Sequence, residues 1–502
     1  MKKFWVVTAL AALMCVSTGC GAPKKNSVDQ NGKTVFPVSA YDDSLPVSMG
    51  DVMPFYDDGV MNIYHLQNSR GTLSLFYHPI ARITTTDFVN YTDCGVALPF
   101  EENSKSPDAA LGTGSFIKDK DGNYHCFYTG HNDNGQSEGL KFNEVVRHAK
   151  STDNQKTWVK DEGFNLYGYE NDFRDPYVYY DADEDVYNML VTTRDYGAGV
   201  IKRYTSKSLD AADREWEDKG VFFKNDQGDF NMECPSYVEY NGYYYLAYSE
   251  QGENRVTHYR YRTEKNGEWK RFSRDSIDAS GFYAGRLEKA DGKLYAFAWC
   301  ANLSGGSVGD FDWGGNLVTH EIKQLSNGEL CAVMVSNVKD SFSKRVKYKF
   351  TDGGEIENVS FGGEGFSSRC AEKLGRQVTR LSFQFTADDY NGNFGITFGL
   401  EGKYNNRLGQ YAVAFDAANS ALSCYNDISS IIRYGAPLAS VPFAYDAYRE
   451  YTADIIIDGE ILTVYLDGAV CLTARFPDMR RRNFAFFSNG NKVNFKGIAF
   501  YE

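Results

Sequence analysis

Short apolar and aromatic runs recur along most of this chain, and Gly, Asp and Asn break them at short intervals. Tyr177-Val178-Tyr179-Tyr180 and the stretches 187–192 and 237–248 are aromatic-rich runs between turn residues, the mark of strands rather than helices. A second pattern overlies the first from residue 41 to about residue 340. A strand ends in Ser or Thr, a turn containing Asp follows, and an aromatic residue opens the next strand. Thr85-Thr86-Asp87 leading to Tyr91, Ser151-Thr152-Asp153 leading to Trp158, and Ser206-Lys207-Ser208-Leu209-Asp210 leading to Trp216 are three copies, and 263–269, ending at Trp269, is a weaker fourth. A period of about 50–70 residues, with about four short strands in each, predicts propeller blades, and roughly 300 residues gives about five of them.

After residue 340 the repeat stops and plain alternation takes over, in 346–350, 380–385, 395–400, 411–415, 451–457, 462–466 and 484–488. Closely spaced alternating strands predict an antiparallel sandwich. Within it Val464-Tyr465-Leu466-Asp467-Gly468 reads as a hairpin turning at Asp-Gly. The expected fold is therefore all-β: a five-bladed β-propeller over residues 41–338, a linker around 336–344, and a C-terminal β-sandwich over 345–502.

The first residues follow a different rule. Lys2 and Lys3 precede an apolar run over residues 4–16, and Ser17-Thr18-Gly19-Cys20 closes it. A basic start, a short apolar core and small residues predict a signal peptide over 1–19. Small residues before Cys20 are similar to a bacterial lipobox, with Ser17 where Leu is usual, so Cys20 is the expected lipidation site. Residues 20–40 would be its flexible tether. The expectation is an exported bacterial lipoprotein in the cell envelope, at the outer membrane or in the periplasm, with plain secretion as the alternative. Membrane contact is expected only through that anchor, and the protein is expected to be a monomer.

Composition narrows the function. With 36 Tyr and 34 Phe, aromatic side chains suit a half-buried pleated surface. A net charge of −14 argues against nucleic acid, whose phosphates need a basic footprint, and leaves neutral ligands such as sugars. The ten cysteines show no metal-ligand spacing and histidines number only seven, so neither metal nor cofactor is expected. Most cysteines read as small buried hydrophobes.

Three acidic motifs stand out: Gly50-Asp51-Val52-Met53-Pro54, Phe173-Arg174-Asp175-Pro176 and Glu233-Cys234-Pro235. Each carboxylate sits beside an apolar or aromatic run, where a charge is costly unless used. Singly each has a plain reading: Asp-Pro opens turns, a Glu ending a strand is commonly solvated, and the nearby Asp57-Asp58-Gly59 is itself a turn. Together, on different blades of a propeller, they would meet at one mouth. Two carboxylates facing across a sugar are the minimum equipment for glycoside hydrolysis.

These residues resemble glycoside hydrolase family 32, the invertase, levanase and inulinase group, over nearly all of residues 45–500. Arg174-Asp175-Pro176 and Glu233-Cys234 match its Arg-Asp-Pro and Glu-Cys motifs. Gln67 follows Asp51 at the spacing of the family's substrate-binding Gln. Gly112-Thr113-Gly114-Ser115 resembles its aromatic-Ser-Gly-Ser element, and residues 148–158 resemble its second-blade turn. Gly281-Phe282-Tyr283-Ala284 and Trp313-Gly314-Gly315 fit later stretches. The chain departs from the family where its Asn before the nucleophile becomes Gly50, where the next Pro moves to Pro54, and where an early Trp has Ile80 near its place.

The resemblance implies Asp51 as nucleophile, Glu233 as general acid/base and Asp175 as transition-state stabiliser, with Gln67, Thr113 and Arg174 binding substrate. The implied activity is a retaining, β-fructosidase-like hydrolase acting on fructans or sucrose-type oligosaccharides. Two alternatives stay open: a glycosidase of the same class for an arabinose-type or other furanoside, and a carbohydrate-binding protein without catalysis.

Overall fold

The computed structural model describes residues 24–25, 34–41, 45–68, 78–169, 171–252, 255–303, 311–375, 377–388, 391–400, 411–426, 435–476 and 483–502. The predicted signal peptide and Cys20 lie outside the described residues.

The chain forms five blades and then a sandwich. The inner strands of the blades are β1 (Leu45–Asp57), β2 (Ala110–Lys118), β3 (Phe173–Asp181), β4 (Met232–Tyr240) and β5 (Tyr283–Ala290). Within each blade the following strands pair antiparallel outward in sequence order. The ring closes where Phe311–Gln324 of the fifth blade pairs with β1 through Gly315 and Met49. Gly315 is required there, because a Cβ would sit 1.8 Å from the Cys300 carbonyl. Residues before β1 fasten the seam, as the Leu317 N–H donates to Pro37 O at 2.9 Å and Asn316 Nδ2 to Phe36 O at 2.8 Å.

The repeated Ser/Thr–Asp turns lie between the third and fourth strands of the blades. Asp87 accepts from the N–H groups of Val89 and Asn90 at 2.9 and 2.7 Å, and Asp153 from those of Lys156 and Thr157 at 3.1 and 2.9 Å. A side-chain oxygen close to its own backbone mimics the turn hydrogen bond, which is why the pattern recurs. The aromatics that follow are inter-blade wedges. Trp158 packs edge-on against Tyr64 and Phe116, Trp216 against Phe127, and Trp269 against Phe222. Asp58 and Gly59 both adopt positive φ in the predicted turn after β1.

A short helix, Ser336–Ser341, leads into a seven-stranded and a six-stranded sheet stacked face to face. Alternation is plain in Thr379–Ala387, where Leu381, Phe383 and Phe385 are buried in one core with Phe394, Phe415 and Phe495. Asp467 and Gly468 both have positive φ, as an Asp-Gly hairpin turn requires.

The two domains interlock. Asp278 and His320 of the propeller meet Tyr465, Cys471 and Thr473 of the sandwich in a buried knot. His320 bridges Asp278 Oδ2 and the Tyr465 hydroxyl at 3.0 Å each, and Asp278 Oδ1 accepts the Thr473 N–H at 2.8 Å. The Cys471 thiol is 3.7 Å from Ile277 O, so each side chain of this Asp-His-Cys cluster has hydrogen-bond partners within the protein. Arg475 of the sandwich donates to Ala301 O and Cys300 O at 2.6 and 3.0 Å, steadying the strand end that carries Trp299.

Candidate active site

All five inner strands carry an irregularity at the same height. Pairing skips between Gly50 and Met53, Gly112 and Gly114, Arg174 and Tyr177, Glu233 and Ser236, and Tyr283 and Arg286. Four of the skipped residues, Asp51, Asp175, Cys234 and Ala284, have positive φ. Such bulges turn side chains out of the pleat, and each costs energy unless its surroundings hold it. Pro176 and Pro235 sit inside two of the bulges, where a missing N–H leaves no ladder bond unmade. The effect is to aim side chains from different blades into one open pocket of about 360 Å³, whose lining includes Asp51, Thr113, Arg174, Asp175, Glu233 and Trp313.

Asp51 is gripped from two sides. Thr113 Oγ1 donates to its Oδ2 at 2.8 Å and Trp299 Nε1 to its Oδ1 at 3.1 Å. Burial, and then the nearby Glu233 charge, raise its proton affinity above the ordinary aspartate value, while these hydrogen bonds and Arg286 pull it back. Asp175 is buried deeper: burial, and after it Glu233 and Asp51, raise its pKa to about 7 against the opposing pull of Arg174. Asp175 Oδ2 accepts the Cys234 N–H at 2.9 Å, and its own N–H donates to Thr129 Oγ1 at 2.9 Å. The Thr129 hydroxyl donates in turn to Thr113 O at 2.9 Å, so one chain of bonds joins the second, third and fourth blades beneath the acids.

Glu233 has a different environment. Its Oε1 accepts from Arg174 Nε and Nη2 at 3.2 and 2.9 Å, and its Oε2 from the Tyr283 hydroxyl. Burial, and then the Glu233 charge, push the Tyr283 phenol far above its usual pKa, which keeps it a donor. Arg174 also donates to Asp172 Oδ1 at 2.7 Å, Gln251 Oε1 at 3.0 Å and Glu144 Oε2 at 3.3 Å. Burial works against the Glu144 anion, but His131, Arg174 and the Phe173 N–H outweigh it and leave its pKa below the usual range.

The site residues expected from sequence fall into two groups. Asp51, Asp175, Glu233, Thr113 and Arg174 share the pocket. Thr113 spends its hydroxyl on Asp51, and each nitrogen of Arg174 is taken by an acid or by Gln251. Both thus hold the acids in place while lining the pocket. Gln67 is buried at 2 % exposure, and it is the neighbouring Leu66 that lines the pocket. Trp299, Glu144 and Asp172 were not singled out in the sequence, since nothing local marks a Trp or Glu as reaching another blade.

The departure at Gly50 has a structural cause. A Cβ there would lie 2.2 Å from Trp313 Cζ2, so the Trp313 ring fills the space that a side chain at position 50 would need. Trp313 is stacked on His78 at 4.3 Å and forms a pocket wall. Gly50→Asn is expected to displace this wall and raise KM roughly 10-fold or more, with a smaller effect on kcat. Steady-state kinetics on the preferred sugar checks this.

Two family models cover the chain. "Glycosyl hydrolases family 32 N-terminal domain" matches residues 53–324 and "Glycosyl hydrolases family 32 C terminal" matches residues 343–502. The chain belongs to glycosyl hydrolase family 32. A sucrose-6-phosphate hydrolase of Vibrio alginolyticus is 26% identical over 186 residues, an alignment covering 36% of this chain and 34% of that protein. The match thus spans about a third of the relative's length. Solved structures share the whole fold. An exo-inulinase from Aspergillus awamori superposes with TM-score 0.68 at 15% identity, covering 90% of this chain and 95% of its own. A family 32 β-fructofuranosidase of Bombyx mori gives 0.66 at 16% identity, covering 93% of each chain. A sucrose-6-phosphate hydrolase from Lactobacillus gasseri gives 0.67 at 17% identity, covering 91% of each chain.

Proposed function

We propose that this family 32 protein is a retaining β-fructosidase that cleaves fructans or sucrose-type oligosaccharides. One observation carries the reading: three blade bulges deliver Asp51, Asp175 and Glu233 to one pocket, each carboxylate with different partners. Asp51, held by two neutral donors, attacks the anomeric carbon of the fructosyl unit. Glu233 gives a proton to the departing oxygen, then takes one from the water that opens the covalent ester. Asp175 hydrogen-bonds sugar hydroxyls as positive charge builds on the ring. Release of fructose from sucrose, inulin or levan tests the assignment. Release of another furanose instead, or glycan binding without any hydrolysis, overturns it.

The pocket favours an uncharged sugar. Asp51, Glu144, Asp172, Asp175 and Glu233 line it, and Arg174 is committed to three of these acids. Although two relatives are named for sucrose 6-phosphate, a dianionic phosphate would meet repulsion here. Sucrose is expected to exceed sucrose 6-phosphate in kcat/KM by roughly 10-fold or more, and the reverse preference would refute an unphosphorylated substrate.

The N-terminal pattern supports export and anchoring through Cys20. Cells expressing the full chain should incorporate radiolabelled palmitate into it, and Cys20→Ala should abolish that label. Equal labelling of both forms would rule out the anchor.

A further inference from the structure

Arg286 is the first paired residue of β5 above the bulge, and it is 1% exposed. From the fifth blade its Nη1 donates to Gly114 O on the second, and its guanidinium lies 5.7 Å from the Tyr177 ring on the third. Contacts with blades that are not its neighbours mean that the side chain crosses the propeller axis, under the pocket floor. Its Nε and Nη2 have no hydrogen-bond partner among the described residues. An under-satisfied buried guanidinium is costly, and it is coupled to an anion above it.

Two links run from Arg286 to Asp51. The mechanical one passes through Gly114, whose neighbour Thr113 holds the Asp51 carboxylate at 2.8 Å. The electrostatic one is direct. Of the charged groups that act on Asp51, Glu233 and the neighbouring Asp175 oppose its ionisation and Arg286 favours it, with Thr113 and Trp299 as uncharged donors. The other titratable groups within the field of Arg286 are the Cys126 and Cys234 thiols and the Tyr177 phenol. All three are pushed upward by burial, so they are neutral near pH 7 and leave the field to the carboxylate.

We infer that Arg286 is a positioning residue: a buried cation on the propeller axis that fixes the Thr113 segment and keeps the Asp51 nucleophile ionised. This rests on the proposed role of Asp51, so the test has one arm that needs turnover and one that does not. In the first, kcat/KM of Arg286→Gln is measured against pH. The acid limb, to which Asp51 contributes alongside Asp175, is expected to move to higher pH, with activity partly recovered there. Arg286→Lys should keep the limb near its original place because it keeps the charge. A uniform loss at every pH with an unmoved limb would mean a merely structural role and overturn the inference.

The second arm is a double-mutant cycle in urea unfolding at pH 7 with Arg286→Gln and Asp51→Asn. Arg286→Gln should destabilise wild type more than it destabilises Asp51→Asn, a result that requires no substrate. Equal losses in both backgrounds would overturn the inference. If Arg286→Gln does not fold, Arg286→Lys with its limb displaced upward like a neutral substitution refutes the role of charge. A wild type that hydrolyses no sugar, with the cycle showing coupling, would sink the assigned activity and leave the Arg286–Asp51 pair standing.

Discussion

Asp51→Asn is expected to lower kcat by roughly 10⁴-fold or more while leaving the fold intact. The amide fills nearly the same volume; its oxygen can accept from Trp299 Nε1 while its NH2 donates to the Thr113 hydroxyl, which can reverse its role, so the bulge has little reason to rearrange. Under the proposed mechanism what disappears is the nucleophile, because an amide oxygen does not form the glycosyl ester. Removing a buried anion next to Glu233 also relieves repulsion, because the Glu233 charge is already one cause of the raised proton affinity of Asp51. The inactive variant should therefore be at least as stable as wild type at pH 7, a combination seen when strain and charge are kept for function. Circular dichroism, thermal melting and sucrose turnover together decide it.

Glu233→Gln is expected to act differently. General acid–base catalysis is worth roughly 10²–10⁴-fold, so natural substrates with poor leaving groups should lose about that much. An aryl β-fructoside, whose leaving group needs little protonation, should lose far less in its first step. Return of water to the ester would then limit turnover. Azide, an anion that needs no general base, should restore the rate and give a fructosyl azide. Gln can still accept from Arg174 through its oxygen and donate through its NH2 to the Tyr283 hydroxyl, so the loss should reflect protons rather than packing. An equal loss on both substrate types, with no response to azide, would assign Glu233 to something other than proton transfer.

Much of this was legible because the physics is local. A Ser/Thr–Asp turn closes on its own backbone, alternating residues declare a half-buried strand, and Asp467-Gly468 announces its turn. The acids were legible for a related reason. Asp175-Pro176 and Cys234-Pro235 combine a left-handed residue with one that cannot donate, which is what a bulge at the end of an inner strand requires. Their partners were not legible, because Trp299 and Arg286 are two ordinary positions in apolar strands until the ring closes and brings them under β1. Gly50 and Gln67 show the limit of spacing as a guide. Gly50 is set by a ring more than 200 residues away, and Gln67 matches in position yet is buried, with Leu66 lining the pocket.

A covalent bond between Asp51 and the sugar can be looked for directly. Glu233→Gln is mixed with an aryl β-fructoside, quenched in acid, and examined by intact mass and peptide mapping. A mass increase of one hexosyl residue located on Asp51 is expected, absent when Asp51→Asn is added. No adduct while product forms with inverted anomeric configuration, or an adduct on a residue other than Asp51, would contradict it.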